Sequence, residues 1–253
     1  MAFGLIVIGD EILSGRRQDK HFAQVVELLA ARGLKLAWVR YLGDERPRLV
    51  QNLRETLAGD DVVFSCGGIG ATPDDHTRQA AAEALGVPLA LNPQARDLIA
   101  GHMAEIGQPL TSERLRMGEL PEGAALIPNP YNRIPGFSLG RHHFVPGFPV
   151  MAWPMIEWVL DTHCRPLFGE GREAERGCLV TGLNEGTLTP LFDAVEREFP
   201  GVRIWSLPRI DPGQRFRYEI DLGVKGSESL VEPAFTRLRE GVLALGGVVS
   251  DQA

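Results

Sequence analysis

The chain has 253 residues, 44% of them hydrophobic and 23% charged, and carries a formal net charge of −7. That length suits one large domain plus a small one, and the acidic balance gives no electrostatic footprint for a nucleic-acid backbone or an anionic membrane. No apolar run is long enough to span a bilayer, the start MAFGLIVIGDEILSG has no basic segment ahead of its apolar residues, and the three cysteines (Cys66, Cys164 and Cys178) form no CxxC pair, so a reduced, cytoplasmic protein without a signal peptide or disulfide framework is expected.

FGLIVIG, residues 3–9, is a continuous apolar run suited to a buried parallel strand. Residues 19–32 place Phe22, Val25, Val26, Leu28 and Leu29 at helical spacing, with Gly33 as the stop. LKLAWVRYL, residues 34–42, alternates like a strand, and Asp44 precedes a helix whose Leu49, Leu53 and Leu57 recur every four residues up to Gly59. DDVVFSC, residues 60–66, is a third strand, followed by an Ala-rich helix over 76–86. This alternation predicts a three-layer α/β/α domain with a mostly parallel sheet. Residues 92–107 read as a helix with Pro93 at its first position. Residues 109–140, rich in Gly, Pro and Asn, read as a long functional loop. HHFVPGFP, residues 142–149, reads as a short strand entering a turn, and the next fourteen residues as a helix.

Residues 165–176 read as a polar linker, beyond which the rhythm becomes β–α–β–β–α. Strands are expected at 177–183, 202–208 and 215–224, a helix from the cap Asn184 to Phe199, and a last helix over 227–245. The expected division is a domain over 1–165 and a small α+β domain over 175–253.

The stretch CGGIGATPDDHT, residues 66–77, poses a conflict. Gly67, Gly68 and Gly70 lie between a strand and a helix, where free amides and a helix N-terminus attract anions. GGxG is neither a dinucleotide fingerprint nor a P-loop, and a tight turn that binds nothing is the plain alternative. Asp74 and Asp75 should repel a phosphate. One of them can cap the following helix; the other calls for a cation, since Mg²⁺ is commonly held by one or two carboxylates plus phosphate oxygens. Asp10 and Glu11, at the end of the first strand, are a second acidic cluster. They share a rim with the first if strands 1 and 3 are neighbours; by itself the pair reads as a solvated turn.

IGDEILSG (8–15), CGGIGATPDDHT (66–77), PEGAALIPNPYNRIPG (121–136) and VPGFP (145–149) occur in an order and spacing that resemble the molybdopterin-binding domain family of molybdenum-cofactor biosynthesis proteins, nearest the N-terminal portion of CinA-type members. The C-terminal segment is similar to the KH-like module that follows this domain in CinA-type proteins. The deamidase domain that ends full-length CinA has no counterpart, so nicotinamide-nucleotide deamidation is not expected. The resemblance implies a phosphate-bearing ligand, either molybdopterin or a nucleotide. It implies adenylylation of molybdopterin, or divalent-metal-dependent (Mg²⁺, Mn²⁺ or Co²⁺) hydrolysis of ADP-ribose, with binding without turnover as the other reading. Asp75 stands at the family's functional aspartate. Asp74, Asp10 and Glu11 join it as metal ligands. Gly9, Gly67, Gly68, Gly70, Thr72, Thr77, Pro146 and Gly147 line the ligand, and Arg114, Arg116 or Arg133 from the long loop offset developing charge. Where relatives carry a Ser-Glu pair after the PGxP turn, this chain has Val150 and Met151, which cannot ligate a hard metal. Relatives commonly self-associate, so a homo-oligomer is expected.

His142 and His143 alternate to opposite faces of a strand and cannot serve one site. His21, beside the first motif, is a further candidate to face the ligand. Ser14 lacks the partners of a nucleophilic triad. Trp153 and Trp158 are explained by packing, and GVKG, residues 223–226, reads as a turn rather than an RNA-binding loop.

Overall fold

The computed structural model describes residues 1–169, 173–209 and 219–251. The chain divides into two compact units, residues 1–171 and 172–253.

The first unit runs β1 (Phe3–Ile8), α1 (Asp10–Leu13), α2 (His21–Ala30), β2 (Leu36–Leu42), α3 (Arg46–Leu57), β3 (Val62–Cys66) and α4 (Thr77–Leu85). It continues through β4 (Leu89–Leu91), α5 (Pro93–Glu105), α6 (Ser112–Leu115), β5 (Glu119–Pro121), β6 (Ala125–Ile127), β7 (Gly136–Leu139), β8 (His142–Val145) and α7 (Pro149–His163). Its main sheet has the order β2-β1-β3-β8-β7-β6, and the β2, β1, β3 and β8 neighbours are parallel. The period-2 alternation of β1 explains the layering. Phe3, Leu5 and Val7 join α2 and α7 in one core, while Ile6 and Ile8 join α3, α4 and α5 in the other.

The segment read as a long loop is the main departure from the sequence reading. Within it lie α6, β5, β6 and β7, and β5 pairs with β4 in a separate two-stranded ribbon. β7 and β8 form a hairpin in which Phe137 opposes Phe144 and Leu139 opposes His142. His142 and His143 are both buried, each bonded to a serine: His142 Nε2 to Ser65 Oγ and His143 Nδ1 to Ser138 Oγ, both at 2.8 Å. Burial pushes their pKa values down to about 3 and about 4, so both rings are neutral core groups near neutral pH.

The second unit has β9 (Ala174–Thr181), α8 (Glu185–Glu198), β10 (Arg203–Arg209), β11 (Glu219–Gly226), α9 (Glu228–Ala244) and β12 (Val248–Asp251). Its antiparallel sheet, ordered β10-β11-β9-β12, packs against the two helices. Asn184 caps α8 as its residue type suggests, accepting the Thr187 N–H. The terminal strand β12 was not expected. The GVKG sequence lies inside β11 rather than at a turn, because Gly223 lets Trp205 cross the sheet: a Cβ there would stand 2.3 Å from the indole. Residues 215–218 of the strand expected there, and part of the expected linker, fall outside the described residues.

Phe144 is fully buried between Phe137 and His142, each ring 4.5 Å away centroid to centroid. Phe144→Ala is expected to cost the first unit roughly 3–5 kcal/mol in denaturant unfolding.

Candidate functional site

Three strands of the main sheet, β1, β3 and β8, are parallel neighbours, and each runs from its carboxyl end through a glycine-containing turn into a helix. Sheet order therefore brings together three turns that are far apart in sequence. These are Gly9 before α1, the Gly67–His76 loop before α4, and the Pro146–Phe148 turn before α7. Ligands of open α/β sheets bind at such carboxyl ends.

The turns are drawn together tightly. Gly67 has φ 116°, and a Cβ on it would stand 2.3 Å from the Ile8 carbonyl oxygen. Gly68 has φ 67°, and its Cβ would meet Thr77 Oγ1 at 2.2 Å. Neither position accepts a side chain. Thr77, fully buried, donates its hydroxyl to Gly67 O at 3.1 Å, and its N–H bonds Gly68 O at 3.0 Å. Gly67 N–H is spent on Val145 O. Thr72 N–H goes to Asp75 Oδ2, and Asp75 N–H to Thr72 O. Among the described residues, no protein acceptor takes the N–H groups of Gly68, Ile69, Gly70 or Ala71. Four successive unengaged amides in a strand-to-helix loop are the makings of an anion-binding nest.

They line a cleft of about 380 Å³. Of the residues expected at the ligand, Gly9, Gly67, Gly68, Gly70, Thr72, Pro146 and Gly147 line it, as do the carboxylate-bearing Glu11, Asp74 and Asp75. Thr77 does not, because it holds the loop from beneath. Asp10 is also outside the lining: its N–H donates to Asp44 Oδ2 at 2.9 Å and its Oδ1 accepts the Asp44 N–H at 3.3 Å. Asp75 folds over its own loop, where Oδ2 accepts both the N–H and the hydroxyl of Thr72. The helix that Asp74 or Asp75 was expected to cap has His76 at its N-cap position, with no side-chain cap hydrogen bond. Ser14 closes α1 and is outside the cleft.

The loop arginines are elsewhere. Arg114 bonds Pro109 O and Gln108 Oε1 of its own segment, Arg133 pairs with Glu105 at 3.2 Å, and Arg116 is exposed outside the cleft lining. The arginine of the cleft is Arg17, 3.7 Å from Glu11 and over the ring of Phe148, which is itself 53% exposed at the rim. His21 is 4% exposed and packs under the third turn, its Nε2 3.1 Å from Gly147 O, so it positions that turn rather than the ligand. Val150 is exposed, and Met151 Sδ lies 3.6 Å from Asn132 Nδ2.

Asp44, missed in the sequence, also lines the cleft. Its signal is the one that singled out Asp10: an acidic residue just past a strand end, here β2 beside β1. Burial, reinforced by repulsion from Asp10, Glu11 and Asp74, raises its carboxyl above the ordinary carboxylate range, although the Asp10 N–H opposes this. A cation at this rim would relieve that repulsion. Yet among the described residues no group of three or more His, Cys, Asp or Glu side chains could hold a metal ion. The set Asp10, Glu11, Asp74 and Asp75 is thus not gathered into a cage, because Asp10 is turned toward Asp44 and Asp75 is engaged by Thr72.

The model of the family described as a probable molybdopterin binding domain matches residues 4–166. The chain belongs to this family. A protein of Caldivirga maquilingensis is 31% identical over 247 residues, spanning 95% of this chain and 94% of that one. A CinA-like protein of Geobacter metallireducens is 32% identical over 209 residues, which are 81% of this chain but only 51% of the relative. The structure of the protein CinA from Thermoplasma acidophilum, described as having unknown function, aligns with TM-score 0.57 and 27% identity over 63% of this chain and 96% of its own. No helix among the described residues is long and apolar enough to cross a membrane.

The sign of the Asp44 shift gives a test. Its folded-state pKa lies above the unfolded value, so its contribution favours folding at low pH and is lost as pH rises through the folded pKa. Asp44→Asn, which keeps an acceptor for the Asp10 N–H, is expected to raise Tm at pH 7. The gain should shrink as pH falls toward about 4.

Proposed function

We propose that the cleft binds the phosphate end of a small molecule, a pterin phosphate such as molybdopterin or a nucleotide, on the amides of Gly68 to Ala71. The observation that carries this reading is the run of unengaged N–H groups lining a cleft at the carboxyl ends of three parallel strands. Family membership supports a pterin as one ligand. Arg17 and the exposed Phe148 ring complete a rim with a cation and an apolar face beside the nest.

Binding is the reading the geometry supports best. A second reading, hydrolysis of a nucleotide pyrophosphate such as ADP-ribose, is favoured by the carboxylates of Glu11, Asp44 and Asp74 on the same rim. With no protein cage present, Mg²⁺, Mn²⁺ or Co²⁺ fits only as a cation shared between these carboxylates and the ligand's phosphate oxygens. Bound so, it would supply Lewis-acid polarisation of a phosphoryl oxygen. The chain's own part is to fix the phosphates on the loop amides and to orient the free oxygen of Asp75 at the edge of the nest. Adenylyl transfer to molybdopterin uses the same phosphate contacts and stands as a third outcome. Self-association into a homo-oligomer is part of this proposal too, and sedimentation checks it.

Calorimetry with ADP-ribose, AMP and a pterin phosphate, with and without Mn²⁺, tests the binding reading; heat from at least one is expected, and silence from all three removes it. Chromatography for AMP after incubation with ADP-ribose and each metal separates hydrolysis from binding. If AMP forms, Asp75→Asn is expected to slow it by at least about 100-fold. Unchanged turnover in that variant would take Asp75 out of the chemistry.

A further inference from the structure

Arg78, the second residue of α4, is only 2% exposed. Buried arginines are normally paired with a carboxylate, since a guanidinium stripped of water without a counter-ion costs several kcal/mol. Among the described residues Arg78 forms no ion pair. Its Nη2 donates to Gly70 O at 2.5 Å, its Nη1 to Glu119 O at 3.4 Å, and its Nε has no partner. Burial accordingly lowers its pKa, while the nearby charges of Asp75 and Glu119 counteract this and that of Arg116 adds to it. The side chain keeps its proton and its charge all the same, because a guanidinium does not deprotonate in the working range.

A buried, unpaired cation directly behind the Gly70 carbonyl has a consequence on the other side of that peptide. In a trans peptide the N–H points opposite to the C=O. With Gly70 O held inward by Arg78, the Ala71 N–H is directed away from the guanidinium, and Ala71 lines the cleft. A charged donor on the carbonyl polarises the peptide and strengthens its N–H as a donor. We propose that Arg78 is the positioning residue of the anion site: from beneath the loop it fixes and polarises the Gly70–Ala71 peptide and supplies the positive potential that lets a cleft rimmed by Glu11, Asp44, Asp74 and Asp75 accept a phosphate. The inference rests on the phosphate reading above and names the group that makes it electrostatically feasible without a metal cage.

Two variants separate charge from shape. Arg78→Met removes the charge and keeps an apolar stem. Arg78→Gln removes the charge and keeps a donor for Gly70 O, and it takes over should the Met variant not fold. Calorimetry with inorganic pyrophosphate and with AMP is the readout, at one ionic strength and without metal. Wild type is expected to bind both. The neutral variants are expected to weaken pyrophosphate about tenfold or more and AMP by less, because the effect follows ligand charge, and Arg78→Lys is expected to recover most of the loss. A purely structural arginine would weaken both ligands equally, with no recovery by lysine, and that result overturns the proposal. So do neutral variants that bind pyrophosphate as wild type does, which leaves the phosphate reading intact. If wild type binds neither anion without metal, this inference falls, while the phosphate reading is decided separately by the calorimetry with ADP-ribose, AMP and a pterin phosphate. Thermal melting adds an independent check: removing an unpaired buried charge should leave Tm unchanged or higher, whereas weaker binding that only tracks a lower Tm overturns the proposal.

Discussion

The close approach of Gly67 to the Ile8 carbonyl sets the terms for the rest of the site. Parallel pairing of β1 with β3 places the two strand ends side by side, and the turn leaving β3 must pass within contact distance of the β1 backbone. Only a residue without a Cβ can make that passage, and only positive φ at Gly67 and Gly68 turns the chain back under itself toward Thr77. Thr77 takes the Gly67 and Gly68 carbonyls, and the amides of Gly68 to Ala71 are left without protein partners among the described residues. The proposed anion nest is thus a by-product of strand adjacency and helix entry, which is why it would need no nucleotide-binding fingerprint in the sequence.

Third in the same row, β8 closes the arrangement. Its turn abuts the first loop through a glycine, with a Cβ on Gly147 standing 3.4 Å from the Gly67 Cα. His21 reaches across from α2 to hold the Gly147 carbonyl. Its ring is buried, so its pKa is lowered and it serves as a neutral strut. Two residues flagged by their chemical type, His21 and Thr77, therefore act one layer behind the cleft. The same is true of Arg78. Sequence reasoning identifies reactive residue types near a motif, but it does not know which of them the local backbone turns inward.

What could be read from the sequence follows from the length of each signal. β1, β3, α2 and α3 carry enough periodic apolar residues to be read as elements, whereas the adjacency of β1 and β3, a condition in the sequence reading, is given by the sheet order. β5, β6 and β7 have three or four residues each, bounded by Pro, Gly and Asn, and no period can be read from so few. They look like loop until their partners are known: β4 for β5, β7 for β6 and β8 for β7. The misplacement of the loop arginines has the same origin. Arg114 and Arg133 fall in that misread segment, where Arg114 is committed to Pro109 and Gln108 beside α6 and Arg133, from the turn after Asn129, to Glu105 at the end of α5. Arg17 was invisible for another reason: it lies past the first motif, with no spacing that distinguishes it from a surface arginine, and reaches the cleft only because α1 reverses the chain.

The opposition between amides and carboxylates at one rim now has a physical resolution that does not require a preformed metal cage. Asp75 spends one oxygen on Thr72, which uses its charge to shape the loop. Among the described residues Arg78 lies under the same loop without an ion pair of its own, and the nearby charges of Asp75 and Glu119 offset only part of the burial that lowers its pKa. The outer rim keeps Glu11, Asp44 and Asp74: Arg17 stands 3.7 Å from Glu11, Asp44 accepts the Asp10 N–H, and hydrogen bonding holds the Asp74 carboxyl below the ordinary range. Their repulsion is felt most by Asp44, whose carboxyl is raised for that reason as well as by burial. A phosphate arriving with its own divalent cation would meet complementary charge at both layers, anion against the nest and cation against the rim. A free phosphate would meet it only at the inner layer. On the phosphate reading proposed above, this layering would favour metal-complexed over free phosphates, with the buried Arg78 guanidinium as the proposed source of the inner layer's sign.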